Sequence, residues 1–152
     1  MAKAKYKPLS FTTTMRNPER IPAFLKCLSI FEGQALTKDI IKTVSKTIIR
    51  AKLYCPMGIK RSESGFDEGW DSRFDTWFKF SKELGFVNYN MGEPIIITQT
   101  GHMLIDAYFE NPCNEKKVHK VYLNAFMKYQ TNNPLKKTLN ENAPLPLLLN
   151  VI

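Results

Sequence analysis

The chain has 152 residues, 43% hydrophobic and 24% charged, which is typical of one globular domain with enough apolar side chains for a buried core. Residues 1–7 are polar and basic, and no apolar run long enough to cross a bilayer follows, which argues against a secreted or membrane protein and predicts a cytoplasmic one. The three cysteines are odd in number and widely spread, so they are expected to be reduced thiols rather than disulfides or a zinc knuckle.

The charge is unevenly distributed along the chain. Residues 1–62 hold thirteen Lys and Arg against three Asp and Glu, a balance of +10, whereas residues 63–152 hold nine against eleven, a balance of −2, which together make the formal net charge of +8. A basic segment of this kind attracts polyanions, of which nucleic acid is the most common for a cytosolic protein. A basic surface that only aids solubility is the alternative. Charge alone does not distinguish the two, so the assignment of a function requires a motif as well.

Two helices are predicted in the basic part. Asn17, Pro18 and Glu19 combine a cap, a first helical residue and a charge that suits the positive end of the helix dipole. The apolar residues that follow recur at helical spacing: Ile21, Phe24, Leu25 and Leu28.

Thr37 is predicted to cap a second helix that runs to about Arg50. Its outer face carries a cation at every fourth residue: Lys38, Lys42, Lys46 and Arg50. The stretch 52–70 has no clear period and predicts a long loop.

A third helix is predicted to begin at Ser72 with a capping box, in which Asp75 satisfies an amide at the helix start, and to end at Gly85 with a left-handed cap. Its predicted inward face consists of Phe74, Trp77, Phe78, Ser81 and Leu84. Its predicted outward face consists of Arg73, Thr76, Lys79 and Glu83.

The remaining elements are a hairpin and two further helices. Residues 86–90 and 94–98 are β-prone and flank a short loop that contains glycine, which is typical of a hairpin. Thr98 or Thr100 is predicted to cap a fourth helix, and Asn114 a fifth.

This order of elements predicts an α+β, mostly helical fold, a winged helix-turn-helix with additional helices. The domain is expected to span residues 1–142, with an N-terminal arm and helix (1–36), a winged-helix core (37–110) and a packing helix (111–133). The run 143–152 is apolar and lacks a polar cap, so it is expected to be the start of a truncated following segment.

Double-stranded DNA is the predicted partner. The helix that begins at Ser72 would enter the major groove, where Arg73 is expected to donate twice to guanine, while Thr76 and Lys79 contact a base and a phosphate. Further predicted DNA contacts lie outside that helix: Arg16, Lys60, Arg61, Asn88 and Asn90. The alternatives are an ion pair of Arg73 with Glu83 or Asp75, packing of the neighbouring Tyr89 on the sheet, and a winged helix that binds protein.

No catalytic or metal-binding residue is predicted. His102 and His119 are isolated, and Cys113 with His119 supplies only two metal ligands. The string Glu115-Lys116-Lys117 superficially resembles the carboxylates and lysine of a metal-dependent nuclease. Its place at a helix start explains Glu115, whose charge suits the helix dipole. The chain is therefore expected to need no cofactor.

Several segments resemble the start of AlwI-like type II restriction endonucleases: residues 8–21, 24–26, 31–33, 72–73, 85–87, 97–98 and 101–104. The resemblance covers nearly the whole chain. It implies that the chain recognises a short asymmetric DNA site, while a Mg²⁺-dependent nuclease domain, further along a longer protein, cuts outside that site on one or both strands. A second nuclease subunit in the full-length protein stays open. The alternative functions are a winged-helix transcription regulator and a protein-interaction module.

Overall fold

The structure, a computed structural model, describes residues 18–53, 71–111 and 113–129, without the side chains of residues 71–73. Within these residues the fold is α+β and mostly helical, as predicted, with five α-helices, a short 3-10 helix and a two-stranded antiparallel sheet. In chain order the elements are the 3-10 helix Pro18–Arg20, α1 (Ile21–Ser29), α2 (Lys38–Arg50), α3 (Asp71–Glu83), β1 (Val87–Asn88), β2 (Ile96–Ile97), α4 (Gln99–Phe109) and α5 (Glu115–Lys128).

The first helix begins later than predicted. Residues Pro18–Arg20 form a 3-10 turn, and α1 begins only at Ile21, with Pro22 in its first turn, where a missing amide proton costs no helical hydrogen bond. Asn17, the predicted cap, lies outside the described residues. The predicted apolar stripe is confirmed, since its four residues are at most 1% exposed: Ile21, Phe24, Leu25 and Leu28.

The predicted caps of the later helices are confirmed. The side chains of Thr37, Thr98 and Asn114 each accept a hydrogen bond from the backbone amide three residues further along, at the starts of α2, α4 and α5. Each bond satisfies one of the amides that the first helical turn leaves without a backbone partner. Of the two candidates for α4, Thr98 is therefore the cap.

Helix α3 ends as its sequence predicts. Gly85 has a φ of +75°, a left-handed conformation that costs glycine little. Its amide donates to the carbonyl of Lys82 at 3.1 Å, and the amide of Phe86 donates to the carbonyl of Ser81 at 2.9 Å, a Schellman motif. This turn directs the chain from α3 into β1.

The hairpin is shorter than predicted, because its two strands pair over only two residues each. Val87 lies opposite Ile97, and Asn88 lies opposite Ile96. Closer to the turn, the second arm pairs instead with the segment that precedes α2. The backbone of Ile95 exchanges hydrogen bonds of 2.8 and 2.9 Å with residues 33 and 34.

An aromatic cluster joins α1, α3 and the hairpin at the centre of the core. The ring of Phe24 lies 6.0 Å from those of Trp77 and Phe78, and the ring of Phe74 lies 4.7 Å from Phe78 and 5.5 Å from Tyr89. Offset and edge-on aromatic pairs at such distances add to the stabilisation that comes from burial alone. The cluster holds α3 and the hairpin at a defined angle.

The predicted inward face of α3 is confirmed, with each residue at most 6% exposed: Phe74, Trp77, Phe78, Ser81 and Leu84. The outward assignment of Glu83 is wrong, because this side chain is 3% exposed. It borders a cavity that residues of α4 and α5 also line, including Thr100 and Asn124. The later helices thus cover a position that the helical period of α3 directs outward.

Candidate nucleic-acid interface

Helix α2 presents a basic face to solvent. Its inner face is fixed by Ile41, Val44 and Ile48, which are 0 to 3% exposed. The opposite face carries four exposed cations: Lys38, Lys42, Lys46 and Arg50. Because they are spaced four residues apart, they follow one side of the helix over roughly 18 Å, at 1.5 Å per residue. We call these four side chains the α2 basic face.

Helix α3 packs against α2 and has an outer side that faces solvent. Asp75 and Lys79, one turn apart, are exposed, and Thr76 between them is half-buried. Ser72 and Arg73 lie in the first turn of α3, but their side chains are outside what the structure describes. This outer side, with the α2 basic face, forms the candidate interface.

Asp75 has a hydrogen-bond partner that the capping-box pattern did not predict. The helix begins at Asp71, so Ser72 lies inside the first turn instead of capping it. The Oδ1 atom of Asp75 accepts a hydrogen bond of 2.8 Å from the hydroxyl group of Tyr89. Tyr89 is only 5% exposed and packs on the aromatic cluster, which agrees with the sheet-packing alternative considered for it.

A polar network fastens the turn of the hairpin to α3. The Nζ atom of Lys82 donates to the carbonyl of Tyr89 at 2.6 Å and to Oδ1 of Asn90 at 2.8 Å. The Nδ2 atom of Asn90 donates to Glu93 at 2.7 Å. Desolvation lowers the pKa of Lys82, and the negative charges of Asp75 and Glu93 act in the opposite direction. The network sets the distance between the hairpin turn and the outer side of α3.

The two hairpin residues predicted to contact DNA have different surroundings. Asn90 is exposed, and both ends of its amide already make the hydrogen bonds of this network. Asn88 is half-buried, and its Oδ1 atom is buried without a hydrogen-bond partner among the described residues. The remaining predicted contacts, Arg16, Lys60 and Arg61, lie outside the described residues, as does most of the loop 52–70.

The histidines and cysteines form no metal centre in the part of the chain that the structure describes, where no group of three His, Cys, Asp or Glu side chains comes together. His102 Nε2 lies 3.1 Å from the carboxylate of Glu32, which also accepts a hydrogen bond from the amide of Ile97. Cys113 and His119 are both exposed. Burial raises the pKa of the Cys27 thiol, which favours the protonated, unreactive form.

A second concave surface lies away from α2, between α1, α4 and α5. It encloses about 650 Å³, and its lining is mainly apolar. Met103 and Phe109, about half exposed, border it together with Lys26, Lys117 and Lys120. We call this surface the α4–α5 groove.

Sequence reasoning missed Asp75 and Lys82 as parts of the site. Asp75 stands at the fourth position of a capping-box pattern, which offered a local explanation for its carboxylate. Lys82 reads as one more cation of a polar helix face. Their common link is Tyr89, which lies 14 residues from Asp75 and 7 from Lys82, and no periodicity indicates contacts at those separations.

No family model, curated protein or solved structure matches the chain. Among the described residues, no helix has both the length and the apolar character needed to span a membrane.

Proposed function

We propose that the chain is a winged-helix module that binds double-stranded DNA, and that it serves as the recognition domain of an AlwI-like type II restriction endonuclease. The α2 basic face is the observation that carries the DNA-binding part of this proposal. The endonuclease part rests on the sequence resemblance, which assigns strand cleavage and Mg²⁺ to a separate nuclease domain.

The order of elements supports the winged-helix assignment. Helix α1 is followed by a short segment at residues 33–36, then α2, α3 and the hairpin. This segment pairs with the second arm of the hairpin, so that arm lies between two pairing partners. In a winged helix-turn-helix this arrangement places the second helix of the pair in the major groove and the hairpin beside the DNA backbone.

In this arrangement the two helices have different tasks. Cations of the α2 basic face bind phosphates, which supplies affinity and orients the domain without reading sequence. Helix α3 directs its N-terminal turn, with Ser72, Arg73 and Thr76, towards the bases, and Lys79 contacts a phosphate. Contacts to base edges distinguish one sequence from another directly, so α3 supplies the direct readout of the bases.

Binding to labelled duplexes over a salt series tests the proposal. We expect the affinity to fall steeply with salt, by roughly 0.9 log units per tenfold salt increase for each phosphate contact. One duplex carries an AlwI-like site and the other a scrambled sequence, and the site should bind more tightly. Equal binding to both would contradict the recognition role, and no binding at low salt would contradict DNA binding altogether.

A pair of double variants locates the surface. Lys42→Glu with Lys46→Glu reverses two charges of the α2 basic face, and loss of two phosphate contacts should weaken binding roughly 50-fold at 0.1 M salt. Lys116→Glu with Lys120→Glu is the matched control, because it changes the net charge equally at the same spacing on α5. Equal weakening by both double variants would show a general charge effect and remove the α2 basic face from the proposal.

Two alternatives remain distinguishable. A winged-helix transcription regulator would bind its DNA site with the same salt dependence, but a full-length protein of that kind has a ligand-binding or dimerisation domain in place of a metal-dependent nuclease. Cleavage of a site-bearing duplex by the full-length protein with Mg²⁺ separates the two. A protein-interaction module would have no salt-dependent DNA affinity.

A further inference from the structure

We propose that Asp75 reads the exocyclic amino group of a cytosine in the major groove. This inference rests on the proposed DNA-binding function and concerns the same site. It assigns sequence specificity to a residue of α3 whose carboxylate is held in place by Tyr89.

Asp75 occupies the position on α3 that such a contact requires. It is the fifth residue of the helix, it is exposed, and it lies one turn before the exposed Lys79. A winged-helix domain contacts base edges with the N-terminal half of its recognition helix. Asp75 is therefore placed at the bases, whereas Lys79 is one turn further from them.

The carboxylate is oriented before any ligand arrives. Its Oδ1 atom accepts the 2.8 Å hydrogen bond from the Tyr89 hydroxyl group. The Tyr89 ring is buried edge-on against Phe74 at 5.5 Å and Phe78 at 6.3 Å, so the donor is rigidly held. Burial, followed by the charge of Asp75 and this hydrogen bond, raises the pKa of Tyr89, which keeps its hydroxyl group protonated and able to donate. Among the described residues, this is the hydrogen bond that the Asp75 carboxylate makes, and its Oδ2 atom can accept a second one.

The chemistry of a carboxylate selects one base. An ionised Asp only accepts hydrogen bonds, and in the major groove only the amino groups of cytosine and adenine donate them. Adenine presents its N7 acceptor beside the amino group, which repels a carboxylate. Guanine and thymine present acceptors only at the corresponding hydrogen-bonding positions. Cytosine is therefore the base that Asp75 fits.

A purely structural role for Asp75, as the anchor of Tyr89, is the competing explanation. In that role Asp75→Ala would lower the stability of the hairpin but would change no preference at a single base pair. The two explanations differ in a readout of base specificity, which is independent of overall affinity and of folding.

The test begins with selection of duplexes from a randomised library by the wild-type chain, followed by binding measurements at each selected position. We expect cytosine to be preferred at one position, and Asp75→Ala to reduce that preference about tenfold while the other positions keep theirs. Asp106→Ala, which removes an equal charge from an exposed position on α4, should keep every preference. Tyr89→Phe, which keeps the ring but frees the carboxylate, should reduce the cytosine preference in part.

A modified duplex tests the proposed contact directly. Replacing the selected cytosine by 2-pyrimidinone, which lacks the amino group, should weaken binding of the wild-type chain but cause little further loss for Asp75→Ala. An unchanged cytosine preference in Asp75→Ala would overturn the inference. So would an Asp75→Ala variant that loses a preference for adenine instead of one for cytosine. Failure of the wild-type chain to bind DNA at all would instead overturn the proposed function, so the two failures are distinguishable. Thermal unfolding of each variant verifies that it is folded.

Discussion

Helices α2 and α5 carry the same formal charge but distribute it differently. Each contains four Lys or Arg and one acidic residue, a balance of +3. In α2 the cations follow one exposed face at regular spacing. In α5, by contrast, Lys117 is ion-paired with Glu110 at 3.2 Å. Lys117 and Lys120 also border the α4–α5 groove, which Asp106 lines as well. The comparison shows that two helices of equal charge differ in how much of that charge faces solvent without an acidic neighbour.

The largest expected effect comes from the close contact between α4 and the hairpin. A Cβ atom on Gly101 would overlap the carbonyl oxygen of Phe86 and would lie 2.9 Å from Cγ2 of Ile97. Gly101→Ala should therefore destabilise the fold by roughly 3 kcal/mol, since backbone must move to relieve the overlap. Denaturant unfolding measures this loss. The same substitution at exposed Gln99, Gln99→Ala, is the control, and an equal loss there would contradict the packing explanation.

The second prediction compares the buried Tyr89 of the hairpin with the half-buried Tyr122 of α5. Burial is the main cause that raises the pKa of both Tyr89 and Tyr122 above the usual value of about 10. A raised folded-state pKa stabilises fully below pH 10, and the stability is lost as pH rises above 10, because the unfolded tyrosines then ionise first. Each tyrosine should cost up to about 1.4 kcal/mol per pH unit in this range.

Unfolding in denaturant between pH 9 and 11.5 checks this dependence. Tyr89→Phe and Tyr122→Phe should each flatten the alkaline loss of stability, and the double variant should flatten it further. The hydroxyl groups differ in partner, since Tyr89 donates to Asp75 and Tyr122 to the carbonyl of Pro18 at 2.7 Å. An alkaline slope that both single variants leave unchanged would contradict the assignment.

The third prediction separates stability from DNA affinity at two equivalent caps. Thr37→Ala removes the cap of α2, and Asn114→Ala removes the cap of α5. Each should lower the free energy of unfolding by about 1 kcal/mol, because one amide of the first turn loses its partner. Under conditions where both variants are folded, only Thr37→Ala should weaken DNA binding, since it loosens the start of the α2 basic face. Weaker binding by Asn114→Ala would mean that α5 belongs to the interface.

The smallest expected effect concerns the ion pair of α5. The side chains of Lys117 and Glu110 are 62% and 46% exposed, so water and salt screen their attraction. Lys117→Ala should change stability by about 0.5 kcal/mol or less, and the difference should shrink further in 0.5 M salt. A change above about 1 kcal/mol, measured in denaturant, would show that this pair holds α4 and α5 together.

The sequence by itself predicted the features that depend on neighbouring residues. The caps at Thr37 and Asn114, the left-handed Gly85 and the apolar stripe of α1 are all visible in the structure. Each rests on a hydrogen bond or a dihedral angle within a few residues, or on the 3.6-residue period that places apolar side chains on one face.

Only the tertiary structure decided the features that depend on two distant segments. Glu83 is buried although its own helix directs it outward, because α4 and α5 cover that position. The carboxylate of Asp75 accepts a hydrogen bond from Tyr89, 14 residues further along the chain. The second arm of the hairpin pairs with the segment before α2, some 60 residues earlier. Local propensity and periodicity contain no information on how elements are placed against each other, since that placement follows from packing the whole core at once.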